Sequence, residues 1–369
     1  MSKHRFEELM RFLRFDIRGT RAQRKVADRF CLVSELLAKF RENCIASYKP
    51  TANLTVDEML YPCKVRCPFL QYMPSKLDKY GIKYWLICDA EKRYVLNIIP
   101  YLGKDEARPA DRSLGEHVVL ELAAPFLDKG RNITTDNFFT SLKLSESLQK
   151  RKTSLVGTLK RNRSEVPYCV RPGNDPLYST TLYTSGDASL TSYQGKTKKN
   201  VLILSSMHSG CDINEESEKK IPETVEFYNN TKAGVDTIDQ MCRKYSVRAA
   251  TRRWPVHVFY NILDLAMINA HTIYKLITNK RIKRRAFILK VVDELAESWK
   301  ERRQRSRAHQ NPNTPPAEPA KRKRCQVMTS CRKQKGNKTS QICCKCNMPV
   351  CKGCQTGNVV CVVGDEAEA

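Results

Sequence analysis

The hydrophobic residues of the first 48 positions repeat with the spacing of amphipathic helices. They form two sets: Phe6, Leu9, Met10 and Leu13, then Val26, Phe30, Val33, Leu37 and Phe40. Residues three and four apart share one face of a helix, so each set predicts a helix with one buried face. We therefore expect a helical segment over residues 1–48.

After Pro50 the pattern changes to short runs of β-branched and aromatic residues. The predicted elements are strands at 53–60, 81–90 and 93–102, a helix at 114–127, a strand at 131–139, a helix at 141–151 and a strand at 153–161. Strands interleaved with helices in this way are typical of an α/β domain. Residues 49–164 are thus predicted to form the first part of an α/β core with a mixed sheet.

Four further segments follow this core. Residues 165–232 hold short β-type runs separated by Gly, Asn and Asp, which predicts a β-rich insertion. Helical periodicity over 233–310, with Pro255 suited to a first turn, predicts the last part of the core and basic helices. The Pro-rich and basic residues 311–324 predict a disordered linker, and a Cys-rich segment covers 325–361.

The charge of the chain is strongly positive. Lys and Arg total 65 against 39 Asp and Glu, a formal net charge of 65 − 39 = +26. A chain this basic attracts polyanions, foremost nucleic acid, although a solvated basic surface or an anionic membrane surface are alternatives. No apolar run reaches the roughly 20 residues of a membrane span and no signal peptide opens the chain, so we expect a soluble intracellular protein.

Four carboxylates have distinctive settings. Asp57 lies inside the first predicted strand, where Asp is disfavoured, and Asp136 ends the fourth. Asp236 and Asp239 are three apart, so one helix face can carry both. Converging carboxylates repel unless they bind a cation, and oxygen ligands favour Mg²⁺ or Mn²⁺. From the residues alone, Asp136 could equally be a turn or cap residue and Asp239 a solvated one.

Five blocks of sequence follow one another in a distinctive order. They are LTVDEML, RCPFLQYMPSKLDKYGIKYWLICD, NITTDNFFTSL, EFYNNTKAGVDTIDQM and TRRWPVHVFYNILDLAMINA. Their order and spacing resemble the piggyBac transposase family over residues 1–275. The resemblance implies an RNase H-like core in which Asp57, Asp136 and Asp236 are catalytic and hold Mg²⁺ or Mn²⁺. It also implies that Asp239 assists them.

The resemblance further implies a reaction and its partners. Family members use two Mg²⁺ ions to activate water, which nicks double-stranded DNA at the transposon end. The freed 3′-hydroxyl attacks the opposite strand to form a hairpin, and later joins target DNA at TTAA. A homodimer acting in the nucleus is expected. Such chemistry needs positioning and charge neutralisation rather than a covalent nucleophile.

Six basic side chains are candidates for DNA contact. They are Lys76, Lys79 and Lys83 in the second block, and Arg248, Arg252 and Arg253 just before the long helix. The lysines could equally face solvent. Trp254 could stack on a base, but a Trp ahead of an amphipathic helix favours a core position. The KRKR run at 321–324 suits a nuclear localisation signal, a phosphate-binding tail, or both.

The Cys-rich segment contains two CxxC pairs. The pairs are Cys343 with Cys346 and Cys351 with Cys354, and the flanking cysteines are Cys325, Cys331 and Cys361. Each pair supplies two thiolates from one tight turn, which predicts bound Zn²⁺. A disulfide knot is the alternative, and it is disfavoured inside the cell.

The family resemblance implies a two-zinc domain here that binds the transposon end. One predicted site uses Cys331, Cys351, Cys354 and Cys325. The other uses Cys343, Cys346 and Cys361, with Cys344 as a substitute fourth ligand. Met328 stands where the family has the partner of Cys331, and Cys325 is expected to compensate. Only Cys361 remains where the family has a second ligand pair, so the second site lacks an obvious full set.

The chain also departs from the family. Its first residues resemble a point well inside family members, so part of a dimerisation and DNA-binding domain is expected to be missing. Val65 and Ala233 stand where Gly is usual. Two functions stay open: an active DNA transposase, or a domesticated or decayed descendant that binds DNA without catalysis. A zinc module of the ubiquitin-ligase type is disfavoured because it needs eight well-spaced ligands.

Overall fold

The computed structural model describes residues 2–104, 108–171, 175–213, 215–216, 218–310, 322–327, 337–344, 347–356 and 360–361. The predicted linker therefore lies almost entirely outside the described residues. The chain divides into two compact units, residues 1–289 and residues 290–369.

Helices occur at the following places: α1 (Lys3–Phe12), α2 (Arg21–Ala27), α3 (Ser34–Ser47), α4 (Leu114–Ala123), α5 (Leu142–Gln149), α6 (Glu223–Thr231), α7 (Gly234–Lys244), α8 (Trp254–Thr278) and α9 (Arg284–Gln310). The strands of the first unit are β1 (Asn53–Pro62), β2 (Leu70–Tyr72), β3 (Tyr80–Asp89), β4 (Val95–Pro100), β5 (Asn132–Thr135), β6 (Ser154–Thr158), β7 (Thr180–Ser185), β8 (Ala188–Lys196) and β9 (Lys199–Ser205). Within its described residues, the second unit holds the two-residue strands β10 (Lys323–Arg324), β11 (Lys338–Thr339), β12 (Gln355–Thr356) and β13 (Val360–Cys361).

The strands of the first unit form one mixed sheet. Its order is β2-β3-β1-β5-β6-β9-β8-β7, with β4 also paired to β3. The β1–β5 and β5–β6 pairs are parallel, whereas the other pairs are antiparallel. The predicted α/β fold with a mixed sheet is confirmed.

The predicted β-rich insertion carries β7, β8 and β9, and these strands continue the same sheet. The antiparallel pairing of β9 with β6 joins Thr158 to Ile203, so β6 is not left as an unpaired sheet edge. The segment also contains α6, which the β-like pattern did not predict. Pro222 precedes this helix, a position where a missing N–H costs no helical hydrogen bond.

The core lies around the central strands and the helices packed against them. Val56, Leu86 and Ile87 of β1 and β3 are fully buried, and Leu37 and Phe40 of α3 join the same cluster. The predicted burial was wrong for Phe6, Leu9 and Val26 but is confirmed for the rest of the second set. Phe6 and Leu9 of α1 are exposed and Val26 of α2 is 89% exposed, whereas Met10 of α1 packs against the core.

The lengths and hydrophobicity of the helices bear on membrane insertion. Within the described ranges, every helix is either too short or too polar to cross a bilayer.

The approach of α7 to the sheet generates a stability prediction. A Cβ atom on Gly234 would lie 2.7 Å from Cys88 Sγ and 2.9 Å from Thr55 Oγ1. Gly234→Ala should therefore lower the free energy of unfolding by about 1–3 kcal/mol in urea denaturation, despite the better helix propensity of Ala. The matched control is Gly19→Ala, since no atom lies within 4 Å of the Cβ built there. Equal stability of the two variants would contradict this account.

Candidate active site

Two neighbouring parallel strands bring Asp57 and Asp136 together. Val56 of β1 pairs with Thr135, the last residue of β5, so Asp57 within β1 lies beside Asp136, which directly follows β5. The Asp57 Oδ1 atom accepts a hydrogen bond from the Glu58 N–H at 2.7 Å. The Asp136 Oδ1 atom accepts one from the Phe138 N–H at 2.9 Å. Local backbone donors therefore orient both carboxylates.

Helix α7 brings Asp236 to the same place. The chain just before this helix is tethered to the sheet, because the Thr55 hydroxyl donates to the Thr231 carbonyl at 2.6 Å and the Thr134 hydroxyl donates to the Thr231 hydroxyl at 2.8 Å. Asp236 lies in the first turn of α7. A pocket of about 220 Å³ is lined by Thr55, Val56, Asp57, Thr134, Thr135, Asp136, Tyr228, Lys232, Ala233 and Asp236.

The three predicted catalytic aspartates thus line one pocket, although they lie far apart in sequence. Their catalytic role stays a prediction. They are not equivalent, because the Asp236 side chain is 57% exposed and forms an ion pair with Lys76 at 3.4 Å.

Glu58 belongs to the carboxylate cluster and was missed from the sequence. Carboxylate oxygens of Asp57, Glu58 and Asp136 all lie within 4.8 Å of one another. Adjacent strand residues normally point to opposite faces, so the pattern placed Glu58 away from Asp57. The available signal was the Asp-Glu pair inside a strand that otherwise consists mostly of apolar residues.

The electrostatics of this cluster favour a bound cation. Burial, together with the charges of Glu58, Asp136 and Asp236, raises the pKa of Asp57 to about 8. Burial and the charge of Glu58 also raise the pKa of Asp136. All the clustered side-chain ligands are oxygens, which suits Mg²⁺ or Mn²⁺ and not a thiophilic metal.

Asp239 has a different environment from the other aspartates. It is buried, and Arg243 contacts its two carboxylate oxygens at 3.4 and 3.1 Å. The same guanidinium donates to Asp78 Oδ2 at 2.8 Å. Asp239 is not among the residues that line the pocket. Its expected assisting role stays a prediction.

The three predicted DNA-binding lysines occupy three environments. Lys76 lies at the carboxylates, with a side chain only 16% exposed. Lys79 is exposed and has a left-handed backbone conformation, with φ of 53°. The ammonium group of Lys83 lies 5.4–5.9 Å from the ring centres of Trp85, Tyr101 and Phe138. These aromatic rings hold the Lys83 cation by cation–π attraction.

The arginines before α8 also differ. Arg248 and Arg252 are exposed, and Arg248 donates to the Pro62 carbonyl at 3.2 Å. Arg253 instead donates to the carbonyls of Met10 and Leu13, so its guanidinium holds the end of α1. Trp254 packs against Phe30 and Phe69 in the core, as expected for an anchor.

The second unit contains a cluster of three cysteines. The sulfur atoms of Cys325, Cys351 and Cys354 lie within 4.8 Å of one another, and all three residues are buried. Although burial opposes it, hydrogen bonds from Asn337 and nearby groups lower the pKa of Cys351 to about 7. A thiol that ionises this readily suits a metal ligand.

The other predicted zinc ligands are only partly described. Cys343 is buried in a hairpin, where its N–H donates to the Met348 carbonyl at 2.8 Å. Cys331 and Cys346 lie outside the described residues. For Cys361 only the backbone, within β13, is described.

The raised pKa of Asp57 predicts that ionisation of this carboxyl group lowers the free energy of unfolding. A raised carboxyl pKa means that the folded state binds the proton more tightly than the unfolded state does. Ionised Asp57 therefore destabilises the fold as pH rises from 3.8 towards about 8. Without added Mg²⁺ or Mn²⁺, Asp57→Asn should raise the free energy of unfolding at pH 8 by about 0.5–2 kcal/mol. The gain should shrink as the pH is lowered towards 4.

The matched control for this denaturation experiment is Asp89→Asn. Asp89 is also buried, but it accepts hydrogen bonds from the Tyr48 hydroxyl and from the N–H groups of Thr51, Glu91 and Lys92. Asn at this position loses an acceptor oxygen and should be destabilising. Destabilisation by Asp57→Asn at pH 8 would refute this effect of ionisation.

Comparison with known proteins identifies the family. The family model described as Transposase IS4 matches residues 1–271. The human PiggyBac transposable element-derived protein 3 is 22% identical over 323 residues, covering 81% of this chain and 52% of that protein. The human PiggyBac transposable element-derived protein 2 is 24% identical over 304 residues, with coverages of 74% and 48%. The chain thus spans about half the length of the curated relatives it matches.

A solved structure supports the same assignment. The cryo-EM structure of the piggyBac transposase synaptic complex with hairpin DNA aligns with a TM-score of 0.79 and 33% sequence identity. The alignment covers 98% of this chain and 80% of that one. The similarity in fold and in sequence therefore extends along nearly the whole chain. This chain belongs to the family of piggyBac-type transposases and transposase-derived proteins.

Proposed function

We propose that the chain cuts and joins DNA strands by metal-dependent phosphoryl transfer, with Asp57, Asp136 and Asp236 as its catalytic residues. The observation that supports this most is the convergence of the three carboxylates on one pocket from β1, β5 and α7. The solved relative is a transposase in complex with hairpin DNA. The proposed substrates are transposon ends and TTAA target sites in double-stranded DNA, bound by a homodimer in the nucleus.

In this proposal the carboxylates are the ligands of the metal ions. Asp57 and Asp136 would hold Mg²⁺ or Mn²⁺ between them, with Asp236 completing the site from α7. Such ions activate a water nucleophile and neutralise charge on the attacking and leaving oxygens. The strand register and the Thr231 tethers keep the three side chains in position before the substrate arrives. Preorganisation of this kind removes the cost of assembling the site during the reaction.

The basic residues would position the DNA. The net charge of +26 provides attraction for phosphates, and Lys79, Arg248 and Arg252 present exposed cations. Contacts of this kind neutralise the backbone without reading sequence, and they release counterions when DNA binds. Binding and cutting are thereby assigned to different side chains.

A second candidate function is DNA binding without catalysis, as in a domesticated or decayed descendant. The ion pair between Lys76 and Asp236 favours it, because a carboxylate neutralised by lysine is a weaker metal ligand. The human relatives are themselves described as transposable element-derived. Cleavage of a transposon-end duplex flanked by TTAA separates the two candidates.

We expect the full chain with Mn²⁺ to nick such a duplex, and Asp57→Asn to reduce the nicking rate at least about 10³-fold. The same variant should bind DNA with an unchanged salt dependence, because the counterion-releasing cations remain. Gel-based cleavage and fluorescence anisotropy over a salt series measure the two properties. Loss of DNA binding together with cleavage in Asp57→Asn would contradict the proposed division of roles.

We also propose that the second unit binds Zn²⁺. Three buried sulfur atoms, those of Cys325, Cys351 and Cys354, already lie at the mutual distances that one ion requires. Thiolate ligands select zinc over the oxygen-preferring magnesium. Cys331 is the proposed fourth ligand, and the site built from Cys343, Cys346 and Cys361 is proposed to be incomplete.

Metal analysis of the purified full chain should therefore find closer to one zinc than two. Cys354→Ser should remove it and loosen the second unit, because metal binding supplies much of the folding free energy of such modules. Cys169→Ser is the control, since Cys169 is exposed in the first unit. Two tightly bound zinc ions would mean that Cys344 completes the second site, and absence of zinc would refute the proposal.

A further inference from the structure

Lys76 is held among the carboxylates by the loop between β2 and β3. Its ammonium group donates to the Glu58 carbonyl at 3.1 Å and to Asp236 Oδ1 at 3.4 Å. The loop is closed by the Met73 N–H donating to the Lys79 carbonyl at 2.7 Å, and by the Lys76 N–H donating to the Met73 carbonyl at 3.1 Å. These backbone hydrogen bonds hold the loop in a conformation in which the Lys76 side chain points towards the carboxylates.

This arrangement differs from an ordinary surface ion pair. A surface lysine keeps its ammonium group in water, whereas the Lys76 side chain is only 16% exposed. Burial alone would lower the pKa of Lys76, but the charges of Asp236, Asp57, Glu58 and Asp239 raise it instead. The largely buried lysine therefore stays a cation beside these carboxyl groups.

The ammonium group of Lys76 can also bind a further acceptor. An ammonium group has three donors, and the Glu58 carbonyl and Asp236 use two of them. Asp236 is more than half exposed, so a phosphate oxygen that enters from solvent can compete for Lys76. Phosphoryl transfer spreads negative charge over the equatorial oxygens, where a fixed cation is most effective.

We propose that Lys76 is a catalytic residue, whose ammonium lies beside Asp236 and contacts the scissile phosphate when DNA binds. This inference rests on the proposed function, and it assigns Lys76 to the reacting phosphate and not to the general DNA surface. Asp236, released from the lysine, would then be available to a metal ion. The lysine exchanges one anionic partner for another and transfers no proton.

The proposal predicts two effects of opposite sign. Removing a nearby positive charge favours divalent cations, so Lys76→Met should tighten Mn²⁺ binding about threefold to tenfold. The same change should slow DNA nicking about 10²–10³-fold at saturating Mn²⁺, because the developing charge on the phosphate loses its cation. Met keeps the apolar stem of the lysine, so the variant tests the charge.

The experiment uses the full chain, with Mn²⁺ affinity measured by calorimetry and nicking measured on the duplex described above. Lys76→Arg should restore most of the nicking rate, and Lys39→Met, at an exposed position of α3, should change neither property. Weaker Mn²⁺ binding by Lys76→Met would indicate a structural role and overturn the proposal. An unchanged nicking rate at saturating Mn²⁺ would overturn it as well.

The two measurements also separate this inference from the proposed function. A wild-type chain that binds Mn²⁺ but cuts no DNA overturns the catalytic function and, with it, the role of Lys76 at a scissile phosphate. A wild-type chain that cuts DNA, combined with a Lys76→Met variant of normal rate, overturns the role of Lys76 alone. Circular dichroism of each variant establishes that it is folded.

Discussion

The backbone pairing of the parallel strands β1 and β5 overcomes the mutual repulsion of the Asp57 and Asp136 carboxylates. β1 and β5 are joined by a parallel ladder in which Leu54 lies opposite Ile133 and Val56 opposite Thr135, and the apolar members of these pairs are fully buried. A slip of one residue would turn each side chain to the opposite face, so burial of the apolar residues fixes the register. The register in turn forces Asp57 and Asp136 together, at a cost that a divalent cation can relieve.

The third aspartate depends on polar contacts inside the core. Thr231 is joined to both β1 and β5 through hydroxyl groups, and Gly234 lets the helix approach Cys88 and Thr55 without a Cβ. These contacts fix where α7 begins and therefore where Asp236 lies. Lys76 then bridges the start of α7 to β1 through Asp236 and the Glu58 carbonyl. The pocket is thus built from pairings between segments that are distant in the chain.

The two units of the chain present different sets of potential metal ligands. The first presents carboxylates on a rigid sheet, which suits a hard cation that must stay accessible to a substrate. The second presents buried sulfur atoms on short hairpins, which suit a closed structural site. The net charge of +26 adds an attraction for polyanions that depends on neither set of ligands.

The sequence by itself determined the alternation of helices and strands, the mixed α/β class and the family, because hydrophobic periodicity and block order are local properties. It also singled out Asp57, Asp136 and Asp236. It did not predict α6 or the exposure of Phe6 and Leu9 in α1, since burial depends on which partner a segment meets. Only the tertiary structure placed Glu58 in the carboxylate cluster, joined Lys76 to Asp236 and tied Arg253 to α1. Each of these contacts joins side chains or backbone groups whose approach is set by strand register and helix packing, and periodicity along the chain carries no information about either.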